Sequence, residues 1–175
     1  MEDSTNFTEM RTDESGSIKA IRNQPSTLFA LICELLGNLN GTYIHWKLDK
    51  DKCKLYLFVN DGGFTKEDKD AIVKKYTSCN KGVSINGIGI RVAIDRMCSN
   101  NVILRFVSKT ESKKLIFDFK STVNSWKISE WKDLDLDDID LFEEYSKENK
   151  EGTLWEIPLN DEYFTQLESK DEEIK

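Results

Sequence analysis

Glu34 and Asn38 stand four residues apart in "ELLGN", so a helix through that stretch carries both on one face. A carboxylate can orient or deprotonate a water, and an amide oxygen is the kind of hard donor that magnesium accepts. In "VNDGGF", Asn60 and Asp61 place two acceptors at the end of an apolar run, followed by Gly62 and Gly63. Further along, "TSCNKG" supplies Ser78, Lys81 and Gly82, and "SINGIGIRVA" supplies Gly87, Ile88 and Gly89 inside an otherwise apolar segment. Glycine weakens any helix or strand it sits in, so such a pair suggests close approach of the backbone, most often to phosphate. The last set is Gly152-Thr153 at the start of a strand-like run. Each alone has an ordinary reading: a surface carboxylate on a helix, a loop turn, tight helix packing, a strand start.

Around these sets the chain shows the elements that must position them. "STLFALICELLGNLNG" begins with cap-type residues, runs apolar at helical spacing and stops at Asn40-Gly41, which predicts a helix. "TYIHWKL" and "KLYLFV" read as strands joined by the charged turn "DKDK". "TKEDKDAIVKKY" predicts a second helix and "GIGIRVAIDRMC" a third. "NVILRFVS", "KKLIFDFK" and "NSWKIS" read as consecutive antiparallel strands. Residues 130–151 are strongly acidic and are expected to form a solvated excursion before a last strand, "GTLWEIPL", and a terminal helix in "NDEYFTQLESKDEEIK". Helices first and strands afterwards give an α+β fold, with helices on one face of a mixed, mostly antiparallel sheet.

Composition narrows the function. A chain of 175 residues with 38% apolar content is long enough for one domain with a sizeable core. The net charge of -7 argues against a sequence-independent grip on nucleic acid or an anionic membrane. No apolar run approaches the ~18–20 residues that span a bilayer, and residues 1–25 lack a signal-peptide profile, so an intracellular protein, cytoplasmic or nuclear, is expected. Cys33, Cys53, Cys79 and Cys98 are widely spaced and His45 has no neighbouring ligand, which favours free thiols over a zinc site.

The ordered set resembles the ATP-binding domain shared by gyrase, the large heat-shock chaperone, histidine kinases and MutL: the GHKL family, with its Bergerat fold, and chaperone-like and MORC-like members in particular. The resemblance covers residues 26–160, with 1–25 as a flexible arm or partly ordered lead-in and 161–175 as a C-terminal helix or tail. It implies a two-layer sandwich and a site for ATP and Mg²⁺. Glu34 and Asn38 match the first box, E-x-x-x-N, so Glu34 would act on the attacking water and Asn38 would help hold Mg²⁺. "VNDGGF" matches the second box, D-x-G-x-G, shortened by one residue. Asp61 is the choice for the carboxylate that reads adenine, with Asn60 the alternative if the gap falls after Gly62, and Gly63 follows in that box. Gly87, Ile88 and Gly89 match the third box, G-x-x-G-x-G, with Ser84 in place of its first glycine. Together with Gly82 they would close over the triphosphate as a lid, with Ser78 and Lys81 near the phosphates. Thr153 matches the G-T strand that supports the adenine contact.

Two further departures are that Gly41 stands where the family often has Asp, and that no second domain follows to supply a catalytic Lys. The implied function is slow Mg²⁺-dependent hydrolysis of ATP that drives lid closure and a conformational or dimerisation switch, with a homodimer and an unidentified protein partner or client. The alternatives are a non-hydrolysing ATP-binding or interaction module, and a catalytic domain like that of a histidine kinase.

Overall fold

The computed structural model describes residues 5–10, 27–37, 41–62, 89–121 and 126–173. In chain order these form β1 (Phe7–Met10), α1 (Leu28–Gly37), β2 (Ile44–Asp49), β3 (Lys54–Val59), α2 (Gly89–Met97), β4 (Val102–Val107) and β5 (Ser112–Asp118). They continue as β6 (Trp126–Ser129), β7 (Lys132–Asp133), α3 (Leu136–Ser146), β8 (Gly152–Pro158) and α4 (Asp161–Glu173). The helix expected over "TKEDKDAIVKKY" lies outside the described residues. No described helix is long and apolar enough to cross a membrane.

The fold is α+β: one eight-stranded sheet and, among the described residues, four helices. The strands run in the order β1-β6-β5-β4-β8-β3-β2, with β7 attached to β5. Every described pairing is antiparallel, which corrects the expectation of a mixed sheet. The physical reason lies in β8. The last strand in the sequence lies between β3 and β4 and runs opposite to both, so those two parallel strands do not pair with each other.

Alternation along the strands separates two apolar clusters, because successive side chains point to opposite faces. Leu55 and Leu57 of β3, Leu104 of β4, Phe117 of β5 and Trp155 and Ile157 of β8 pack with Leu31 of α1, Ile94 and Met97 of α2 and Leu167 of α4. Tyr56, Phe58 and Leu154 occupy the other face, against Phe142 and Tyr145 of α3. Full burial of each such side chain contributes about 1.5–3 kcal/mol relative to exposure. Three of the described helices therefore cover one face and α3 covers the other.

α3 replaces the solvated excursion expected over 130–151. Asp135 caps it by accepting from the Asp138 backbone N–H at 2.9 Å, and the Asp138 carboxylate reaches back to the Asp135 N–H at 3.2 Å, a reciprocal capping box. Phe142 and Tyr145 are buried at helical spacing, and Asp138 is buried in an ion pair with Arg105 at 2.6 Å. Within the N-terminal 25 residues, β1 pairs with β6, with Phe7 opposite Ser129 and Met10 opposite Trp126.

Candidate functional site

The centre of the site is the junction of β3 and β8. Val59, the last residue of β3, lies opposite Thr153 in β8, so the chain that follows, Asn60-Asp61, turns over the start of β8. Thr153 is only 1% exposed. Its hydroxyl donates to Asp61 Oδ2 at 2.5 Å, joining residues 92 positions apart in sequence. Thr153 alternates with Trp155 and Ile157, so it faces the side of the sheet that α1 and α2 cover. Those two helices pack against each other.

Gly152 makes this junction possible. Its φ is +148°, and a Cβ placed there would lie 2.3 Å from the Val59 carbonyl oxygen and 2.8 Å from Phe58 Cζ. A glycine here lets β8 come up against the end of β3, which sets the Thr153 hydroxyl beside Asp61.

Asn60 takes a different part. Its side-chain oxygen accepts from the Tyr43 N–H at 2.7 Å, and its amide nitrogen donates to Thr42 Oγ1 at 3.1 Å and to Asn149 Oδ1 at 3.5 Å. Its backbone N–H donates to the Tyr43 carbonyl at 3.1 Å. Gly41 packs tightly under this arrangement: a Cβ there would sit 2.4 Å from Val59 Cγ2 and 2.7 Å from Asn60 Oδ1. A side chain at position 41 would have to displace the Val59 or Asn60 side chain.

The remaining motif residues divide in two groups. Glu34 lies within α1, one turn beyond the buried Leu31, and Gly89 is the first residue of α2, so the glycine segment leads directly into a helix N-terminus. Asn38, Gly63, Ser78, Lys81, Gly82, Gly87 and Ile88 lie outside the described residues, as does Ser84. Among the described residues, no three His, Cys, Asp or Glu side chains are grouped to hold a metal ion. Cys33 and Cys53 are exposed, and Cys98 is buried with its thiol donating to the Asp95 carbonyl at 3.9 Å. His45 donates from Nδ1 to the Tyr145 carbonyl at 2.9 Å, tying β2 to the end of α3.

Sequence reasoning did not anticipate Thr42, Tyr43 and Asn149 as neighbours of the site. Thr42 and Tyr43 carry a faint signal, since they immediately precede β2, the strand paired to β3. Asn149 carries none, because its link to Asn60 spans 89 positions and depends on α3.

On the opposite face of the same strands lies a buried charge network. Arg105 donates to Asp138 at 2.6 Å and to Glu156 at 2.7 Å, Lys54 pairs with Glu156, and Lys114 pairs with Asp138. Burial alone would raise the Glu156 carboxyl, but the Lys54 and Arg105 partners outweigh it and hold the group below the ordinary glutamate range. Separate from both, a cavity of about 460 Å³ opens between α1, β2 and α4, lined chiefly by Leu28, Phe29, Ile32, Trp46 and Leu167. None of its described lining residues is a motif residue.

Comparison of the chain with protein-family models and with curated proteins finds no match.

Proposed function

We propose that the chain binds ATP with Mg²⁺ in a GHKL-type site and hydrolyses it slowly, using lid closure over the nucleotide as a conformational or dimerisation switch. The observation that carries the reading is the hydrogen bond from Thr153 to Asp61, which joins the second box to the G-T strand at one point. A carboxylate held at a strand end by a buried hydroxyl suits an exocyclic amine, which donates to it. A guanine carbonyl at the same place would meet a repelling acceptor, so adenine is favoured. The finer architecture that goes with the reading is the Bergerat sandwich, with α1, α2 and α4 as its helical layer.

In this reading Glu34 acts on the attacking water and Asn38 is the Mg²⁺ ligand. Ser78, Lys81, Gly82, Gly87, Ile88 and Gly89 form the phosphate-closing lid. Bound with Mg²⁺, the triphosphate supplies the phosphoanhydride whose cleavage resets the switch. Support for the arrangement comes from Gly89 opening α2 and from the packing of α2 against the helix that carries Glu34. Calorimetric titration of the purified chain with ATP, with and without Mg²⁺, followed by phosphate release on the same sample, tests the reading. Binding with slow release is expected. An absence of binding at millimolar ATP refutes it.

A second reading, an ATP-binding or interaction module that does not hydrolyse, is favoured by one feature. Gly41 is packed against Val59 and Asn60, so the acidic residue found there in many family members would have to displace one of their side chains. Binding without phosphate release selects this reading over the first.

A further inference from the structure

We propose that Asn60 is a positioning residue that holds the Asp61 carboxylate in place for adenine, and that it does so through the loop following α3, by way of Asn149. This inference rests on the ATP-binding reading above and assigns Asn60 a role other than reading the base.

Asn60 has one side-chain acceptor group and two N–H donors to offer. The oxygen is engaged by the Tyr43 N–H, and the amide nitrogen by Thr42 and Asn149. With the backbone N–H given to the Tyr43 carbonyl, the residue is clamped from both ends. A side chain so engaged has little left to offer a base, whereas it fixes the course of the chain into Asp61, whose Cα is ~3.8 Å away.

The three tethers come from two segments. Thr42 and Tyr43 lead into β2, and Gly41 before them leaves space for the Asn60 oxygen, which a Cβ at 41 would approach to 2.7 Å. Asn149 belongs to the turn after α3. Its own backbone N–H and side-chain nitrogen donate to the Ser146 carbonyl at 3.0 and 2.9 Å, which orients its Oδ1 toward Asn60. Four residues later the same segment supplies Thr153, the hydroxyl donor to Asp61. One stretch of chain, from Asn149 to Thr153, therefore holds Asp61 directly through Thr153 and indirectly through Asn60. A change at Asn149 is transmitted to base recognition without contact with the nucleotide.

The test measures dissociation constants for ATP and GTP, together with thermal midpoints, for the wild-type chain and for Asn60→Ala, Asn60→Asp and Asn149→Ala. Asn60→Ala is expected to weaken ATP roughly tenfold while changing GTP little, so that the ATP preference falls. Asn60→Asp keeps the acceptor for Tyr43 and can accept from Thr42 but loses the donor to Asn149, so it should lower the ATP preference about as much as Asn149→Ala does, ~2–3-fold. Asn149→Ala removes only the loop tether and should lower the ATP preference about 2–3-fold, with a thermal midpoint near wild type. An unchanged ATP-to-GTP ratio in Asn60→Ala and Asn149→Ala overturns the proposal, as does equal weakening of both nucleotides. Should Asn60→Ala fail to fold, the ratio in Asn149→Ala decides by itself. A wild-type chain that binds no ATP, or binds GTP equally well, removes the ATP reading and this inference with it. Wild-type preference for ATP with unaltered variants removes this inference alone.

Discussion

Replacing Gly152 by alanine should cost far more than removing one glycine from an average strand. Two costs combine. The residue has φ +148°, where an L side chain is strained, at about 1–3 kcal/mol. The new Cβ would also sit 2.3 Å from the Val59 carbonyl oxygen, when a carbon-to-oxygen contact is comfortable at about 3.3 Å, so the strands must part by ~1 Å. Val59 O is backbone at the end of β3, between β2 and β8, and Val59 and Phe58 are both fully buried, so neither yields cheaply. Overpacking of this kind adds about 1–3 kcal/mol, for a total near 4 kcal/mol. For a chain of this size that corresponds to a thermal midpoint ~8–16 °C lower. Gly62→Ala is the control: its φ of +77° is also unfavourable, but among the described residues nothing lies within 4 Å of the added carbon, so backbone strain of about 1 kcal/mol is the cost expected. Urea and thermal unfolding of both variants make the comparison. A Gly152→Ala midpoint equal to that of Gly62→Ala would refute the argument that close approach of β8 to β3 is what requires glycine.

Asp61→Ala should weaken ATP binding by about 1.5–3 kcal/mol, the loss of a hydrogen bond to a charged acceptor, and unchanged affinity in calorimetry would remove Asp61 as the adenine reader. Glu34→Ala should leave ATP affinity nearly intact and slow phosphate release roughly 10²–10⁴-fold, whereas equal turnover excludes Glu34 as the base. Arg105→Met should destabilise the fold by about 3 kcal/mol in urea titration, the low end for breaking a buried pair, because Lys54 and Lys114 still partner Glu156 and Asp138. A loss under about 1 kcal/mol would show that the lysines suffice without Arg105. Stability should also fall in acid. Glu156 is held below its ordinary value of 4.5, and Asp135 is drawn from 3.8 to about 2, first by the Asp138 backbone N–H and then by Lys114. A carboxyl depressed in the folded state contributes stability above its unfolded value and loses it as pH falls through its folded one. Unfolding midpoints should be flat above pH 5 as far as these two groups govern them, and should decline progressively from about 4.5 toward 2. Replacing Asp135 and Glu156 by their amides should flatten that decline.

What was legible in the sequence follows from how each element is stabilised. The strands with runs such as "KLYLFV" and "GTLWEIPL" are buried on both faces, so continuous apolar stretches mark them plainly. β1 and β7 are short edge or accessory strands of four and two residues whose partners, not their own patterns, define them. α3 was hidden because its exposure runs against its composition. Leu136, its most apolar early residue, is 78% exposed, while the acidic Asp138 is buried. The signals that do mark it are the capping pair Asp135 and Asp138 and the spacing of Phe142 and Tyr145. The sequence singled out Asp61 and Thr153 and left Asn60 as an alternative reader. The structure brings Asp61 and Thr153 within hydrogen-bonding distance and commits the Asn60 side chain to Thr42, Tyr43 and Asn149. That commitment depends on α3 and the turn after it, so it was beyond local pattern.

The acidic stretch also changes what the net charge means. Part of it is not a solvated face but neutralises cations that the sheet has buried: Asp138 meets Arg105 and Lys114, while Glu156 of β8 itself meets Arg105 and Lys54. Unpaired, any of these buried charges would destabilise the fold by several kcal/mol, so α3 must dock if β4 and β8 are to sit side by side with Arg105 and Glu156 between them. β8 then connects the two faces. Glu156 points toward α3 and Thr153, three residues earlier, toward the side of α1 and α2, so one strand is anchored by charge on one face and presents the Asp61 partner on the other. Loosening the network by Arg105→Met should therefore register in nucleotide affinity as well as in stability. Gln166, half-buried on α4 and donating to Glu162 at 3.4 Å, takes no part in this network, and its replacement should leave nucleotide affinity unchanged.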